Sequence, residues 1–189
     1  MIDCLTNATL RDLPRVCRFY KAVCDKQATD RYSPNWHYGI YPDEDELKRH
    51  VLRRELLLGL EGGGLAAALV LLDREDEEYR DAPWQFPEAS NRVCVWHLFA
   101  VSPVYRGRHM GSDMLLRVLR LCRARGFRAV HLDVTKGNVA AERLYTRLGF
   151  RFVGEKGVFY EDTGVMTVRL FEYDLRNYGY RLNSAKYKM

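Results

Sequence analysis

The second half of the chain alternates helical and extended patterns in a way that few architectures accept. A helix from about Gly111 to Arg125 stops at Gly126, an apolar run Ala129 to Val134 follows, and a further helix, Val139 to Leu148, stops at Gly149. Glycine just past a helical period is a common stop because it tolerates the left-handed backbone that closes the last turn. With the buried-strand pattern Arg92 to Val101 ahead of it, this segment reads as a βαβα unit.

The first half adds strands and two helices. Ile2 to Thr6 alternates weakly, as an edge strand does, and Thr9 with Asp12 resembles a capping box for a helix whose inward face carries Leu13, Val16, Cys17, Tyr20, Val23 and Cys24. Residues 27 to 42 are loop chemistry with an aromatic load of Tyr32, Trp36, Tyr38 and Tyr41. These rings either line a pocket or cover the core. Acidic residues Asp43 to Glu46 open a second helix that lasts to about Arg54. Glu55 to Leu60 and Leu65 to Leu72, joined through Gly62 and Gly63, form a hairpin. The polar stretch from Asp73 to Asn91 is expected to cross the surface as a long connection, with Trp84 in it. Two final strands, Phe152 to Tyr160 and Val165 to Leu175, meet at a turn Asp162-Thr163-Gly164.

A length of 189 residues suits one domain, assigned to 1–175, followed by a basic tail 176–189 that is either frayed or a partner contact. No apolar run free of charge is long enough to cross a bilayer, and the Met1 end lacks a secretion signal, so no membrane role and a cytoplasmic location are expected. The net charge of +5 comes largely from arginines on and before one helix, without the signatures of a nucleic-acid-binding module, so no nucleic-acid partner is expected. The five cysteines form no CxxC pair, which argues against a metal and for reduced, structural thiols. Cys94 is the one candidate nucleophile.

The chemistry concentrates after residue 98. Phe99-Ala100-Val101 ends a strand that runs through Arg106-Gly107-Arg108-His109-Met110-Gly111-Ser112 into a helix. Unpaired N–H groups and the dipole at a helix N-terminus favour an anion, and arginine adds charge-assisted donors. On the next helix stand Asn138, Ala141, Tyr145, Gly149 and Phe150. Together the two clusters resemble the GCN5-related N-acetyltransferase (GNAT) superfamily, whose cofactor loop reads Arg/Gln-x-x-Gly-x-Gly/Ala and whose next helix reads Asn-x-x-Ala-x-x-x-Tyr-x-x-x-Gly-Phe.

That resemblance implies an α/β (α+β) fold: a single mixed, mostly antiparallel sheet of about seven strands, with a splayed parallel pair in the centre and helices on both faces. It implies acetyl-CoA as co-substrate, held by Phe99 to Val101, by Arg106 to Ser112 and by Asn138, with Tyr145 as general acid toward the departing thiolate. The acetyl group would pass by direct attack to a primary amine, from a small molecule shaped to Trp36, Tyr38, Tyr41 and Trp84. A protein or peptide N-terminus is the alternative acceptor, and a non-catalytic CoA-binding regulatory protein is the alternative outside the enzyme class.

A base for the amine is sought in His97, the one histidine of its strand, expected on the face of Val95, Phe99 and Val101. The arylalkylamine N-acetyltransferases also carry histidine on this strand. The competing role is a core histidine satisfied by one hydrogen bond, and His131 and Asp133 are weaker candidates. His109 departs from the glycine usual at its position. It strains the loop if φ is positive, or donates to a phosphate if φ is helical. A homodimer through the last strands is open.

Overall fold

A computed structural model describes residues 1–27, 29–30, 33–75, 79, 81–86, 88–160 and 164–177, with backbone alone at Tyr160 and Asn177. Tyr32, the first two residues of the expected turn at 162–164 and the tail from 178 lie outside the described residues. The elements run β1 (Cys4–Asn7), α1 (Leu13–Gln27), α2 (Glu44–Leu52), β2 (Leu56–Glu61), β3 (Gly64–Leu72), β4 (Val93–Val101), α3 (Met110–Ala124), β5 (Ala129–Thr135), α4 (Val139–Leu148), β6 (Arg151–Tyr160) and β7 (Gly164–Asp174).

Local chemistry sets these boundaries. The Asp12 carboxylate accepts from the Thr9 N–H at 2.8 Å and from its hydroxyl at 2.7 Å, which starts the turn leading into α1. Asp43 caps α2 by accepting the Glu46 N–H at 2.6 Å. Gly62 and Gly63 both take positive φ, 55° and 77°, as the tight β2–β3 hairpin requires.

The seven strands form one sheet in the order β1-β2-β3-β4-β5-β7-β6, and β4–β5 is its parallel pair. One apolar core lies under α3 and α4, built from Trp96, Leu115, Val118, Leu132 and Phe171, and the other lies under α1 and α2, built from Tyr20, Leu47, Leu58, Val70 and Leu170. Helices therefore cover both faces, as the resemblance implied. No described helix is long and apolar enough to cross a membrane.

Two irregularities open the middle of the sheet. Ala68 faces Ala100 but Val70 faces His97, so β4 carries one more residue than β3 over that interval. This is a β-bulge, and Leu98 takes φ 50° within it. The β4–β5 ladder covers only Val93 to Val95 against Ala129 to His131, while β5 stays paired with β7 along its whole length. Beyond Val95 the β5-facing edge of β4 is therefore without a ladder partner among the described strands.

The bulge corrects the expected placement of His97. Val95 and His97 face the α1/α2 side with their partners Leu72 and Val70, whereas Phe99 and Val101 belong to the α3/α4 side. An extra residue shifts the period-two alternation, so residues 97 and 99 lie on opposite faces.

Candidate active site

Where β4 and β5 part, a cavity of about 360 Å³ passes through the sheet. Trp96, Phe99, Asn138 and Tyr145 line it from the α3/α4 side, and Trp36, Tyr41, Tyr79, His97 and Asp133 line it from the other. Of the four aromatics expected in an acceptor pocket, Trp36 and Tyr41 line the cavity, while Tyr38 and Trp84 do not. Trp84 instead stacks on His131 with ring centroids 3.7 Å apart.

The loop that opens α3 leaves the helix start without a side-chain cap. Gly107 and His109 both hold left-handed backbone, φ 75° and 60°. A helix start of this kind has the donors and the dipole that suit an anion. Of the two expectations for His109, the strained backbone is the one found. Gly111 lets α3 settle onto β4, since a Cβ there would stand 3.3 Å from Val101 Cγ2 and 3.5 Å from Phe99 Cζ. Arg106 is ion-paired with Asp30, and Arg108 lies 6.0 Å over the Tyr105 ring.

On the next helix, Asn138 Oδ1 accepts the Ala141 N–H at 3.3 Å and caps α4. The helix ends at Gly149 with φ 98°, where Phe150 N–H reaches back to the Tyr145 carbonyl at 3.1 Å. Tyr145 is buried against Phe99 and Phe150. Burial, with the Asp133 carboxylate adding to it, pushes its phenol far above the ordinary tyrosine range, so it stays protonated.

The chain between β3 and β4 contributes what sequence reasoning missed. Expected to cross the surface, it buries Tyr79, whose ring stacks with His97 at 6.2 Å and whose hydroxyl donates to Asp133 Oδ1. A lone tyrosine in the charged run from Asp73 to Asp81 was the available signal. Glu172 holds this connection down by accepting the Gln85 and Phe86 N–H groups at 3.0 and 2.9 Å. His131 sits between Glu75, 3.0 Å from Nδ1, and Glu172, 3.4 Å from Nε2. Its burial opposes protonation, but the hydrogen bonds and charges of the two carboxylates outweigh it and raise the histidine above its ordinary value. Glu46 and His50 of α2 also reach the cavity.

Cys94 is fully buried beside Cys122, and burial raises its thiol well above the ordinary range, which leaves it without the thiolate character of a nucleophile.

A parted parallel pair, an uncapped glycine-containing loop opening α3 and a buried tyrosine on α4 together frame the cleft. The acetyltransferase (GNAT) family pattern matches residues 13–150, and the chain belongs to that family. A curated protein of Bacillus subtilis (strain 168) that carries the provisional name ribosomal protein bS18-alanine N-acetyltransferase is 31% identical over 65 residues, 34% of this chain. The matched stretch spans 43% of that relative's length. Among solved structures, a GNAT-family acetyltransferase of Streptococcus agalactiae 2603 superposes with a TM-score of 0.68 at 18% identity, covering 90% of this chain and 94% of that one. The Salmonella typhimurium protein yncA, solved with its cofactor acetyl-CoA, superposes with a TM-score of 0.63 at 16% identity, covering 91% and 93%. These two likenesses are of fold.

Proposed function

We propose that the protein moves the acetyl group of acetyl-CoA to the primary amine of a small molecule by direct attack. The observation that carries this reading is the single cavity through the parted strands, with a protonated Tyr145 on one side and His97 on the other. The unpaired edge of β4 and the uncapped start of α3 suit acetyl-CoA. Phe99 to Val101, Arg106 to Ser112 and Asn138 would hold it. When bound, acetyl-CoA supplies an acyl group activated as a thioester.

The chain's own residues then divide the proton work. Tyr145 keeps a proton on its hydroxyl for the departing sulfur, and a positioned acid of this kind contributes about 10²–10⁴-fold. His97 takes the proton of the acceptor, which arrives as an ammonium at neutral pH. Trp36, Tyr41 and Tyr79 wall the acceptor side with rings and keep it compact.

The screen is thiol release from acetyl-CoA over a panel of small amines, with acetyl-CoA binding followed by calorimetry. Binding with release from at least one small amine is the expected result. Binding without release across the panel leaves a CoA-binding protein without catalysis, and no binding removes both readings. The name of the Bacillus subtilis relative favours a peptide N-terminus as the second reading. An alanine-initiated peptide in the same panel separates the two, because preferential turnover of the peptide would reverse the choice of acceptor.

A further inference from the structure

The acceptor half of the cavity carries a charge pattern that narrows its ligand. Between the two halves Trp96, 2% exposed, lines the cavity from the α3/α4 side, and its indole Nε1 has no hydrogen-bond partner among the described residues. A buried donor left without an acceptor is costly, so the cavity is shaped for an occupant that brings one. Apart from the histidines His50 and His97, the ionisable groups of acid or base strength that line it are carboxylates. Asp133 and Glu46 both line the cavity, and no lysine or arginine does among the described residues.

Neither carboxylate is neutralised by a lysine or arginine among the described residues. Asp133 accepts from the Tyr79 hydroxyl and ion-pairs with no lysine or arginine among the described residues. Among the described residues Glu46 pairs with His50 Nε2 at 3.9 Å, and the other nitrogen of that ring is held by Glu55 at 2.7 Å. A half-buried carboxylate with one hydroxyl donor lacks the compensation that burial of charge demands. A ligand cation supplies it, and the rings of Trp36, Tyr41 and Tyr79 add faces that attract one.

We propose that the Tyr79–Asp133 pair seats the acceptor's ammonium group, and that the acceptor is a cationic amine with an apolar or aromatic body and no carboxylate beside its amine. The inference rests on the transferase reading above and deepens it. Tyr79 fixes the Asp133 carboxylate by its hydrogen bond, and its ring stacks on His97, so the seat and the proton-accepting group adjoin. An α-amino acid would add a third carboxylate to a cavity that Asp133 and Glu46 already line. Like charges brought together at a partly buried site repel, and screening by water is weaker there than at the surface.

The experiment compares thiol release from acetyl-CoA with phenethylamine and tryptamine against phenylalanine and tryptophan, which differ by the carboxylate alone. Wild type is expected to favour the amines by about a hundredfold or more in kcat/KM. Asp133→Asn should lower amine turnover about thirtyfold or more, mainly through KM, and shrink that preference. Asp133→Glu should recover part of the loss, and acetyl-CoA affinity by calorimetry should be unchanged in both variants. Calorimetry of phenethylamine without acetyl-CoA gives a readout apart from turnover, with binding to wild type and weakened binding to Asp133→Asn expected. Equal or better use of the amino acids, or an Asp133→Asn protein with the wild-type preference, overturns the inference and leaves the transferase standing. Absence of release with any amine or peptide overturns the transferase reading itself.

Discussion

His109 is held at φ 60°, ψ 12°, a conformation that most L-residues avoid and histidine adopts more often than most. Replacing it with glycine removes the steric cost and adds some unfolded-chain entropy. His109→Gly is therefore expected to gain about 0.5–1 kcal/mol in urea unfolding. At the opposite wall, Tyr145→Phe keeps the buried ring and removes one hydroxyl. The expectation is a fall in kcat of about 10²-fold or more with unchanged acetyl-CoA affinity, read by steady-state kinetics and calorimetry. An undiminished rate would show that the thiolate leaves without this proton. These two residues were legible because both stand at fixed spacing within one helix or at its start. Tyr79 was not, because its meeting with Asp133, 54 positions away, depends on how a loop returns to the sheet.

At the scale of elements, the order of strands and helices was readable because each boundary carries its own chemistry. Asp43, Gly62-Gly63, Asn138 and Gly149 act within a few residues of themselves, so no knowledge of the tertiary fold is needed to place them. Asn138→Ala, which removes the α4 cap, should cost about 1 kcal/mol in urea unfolding. A cost near zero would mean that the first turn of α4 is satisfied otherwise. The bulge in β4 was not readable. Leu98 is neither glycine nor proline, and only the register against β3 reveals the extra residue. Counting by twos from Val95 therefore reached His97 correctly and then misplaced Phe99 and Val101 relative to it.

For the whole molecule, the buried His131 between Glu75 and Glu172 ties the β3–β4 connection to the sheet and gives stability a pH dependence. Its folded pKa lies above the ordinary value of 6.5. Its contribution is fully present below 6.5 and declines as pH rises through the folded value. His131→Gln should accordingly lose more stability at pH 6 than at pH 9 in urea unfolding, and an equal loss at both would remove the charged pairing. Acetyl-CoA at a hundred times its dissociation constant should stabilise the fold by about 2.7 kcal/mol. The melting temperature should then rise by roughly 5–10 °C in a thermal scan. An unmoved transition would speak against the cleft as its site.

The bulge has a further meaning for the gene. Deleting the codon for Leu98 would leave Val95 and His97 on one face and Phe99 and Val101 on the other, while allowing β4 to pair with β3 without interruption. The irregularity beside the cleft is thus a matter of chain length rather than spelling. Base substitutions change the walls of the cavity, but one in-frame deletion would remove the kink and keep the faces of the remaining residues, at the expense of the buried Leu98 side chain and of the carbonyl that Tyr20 donates to.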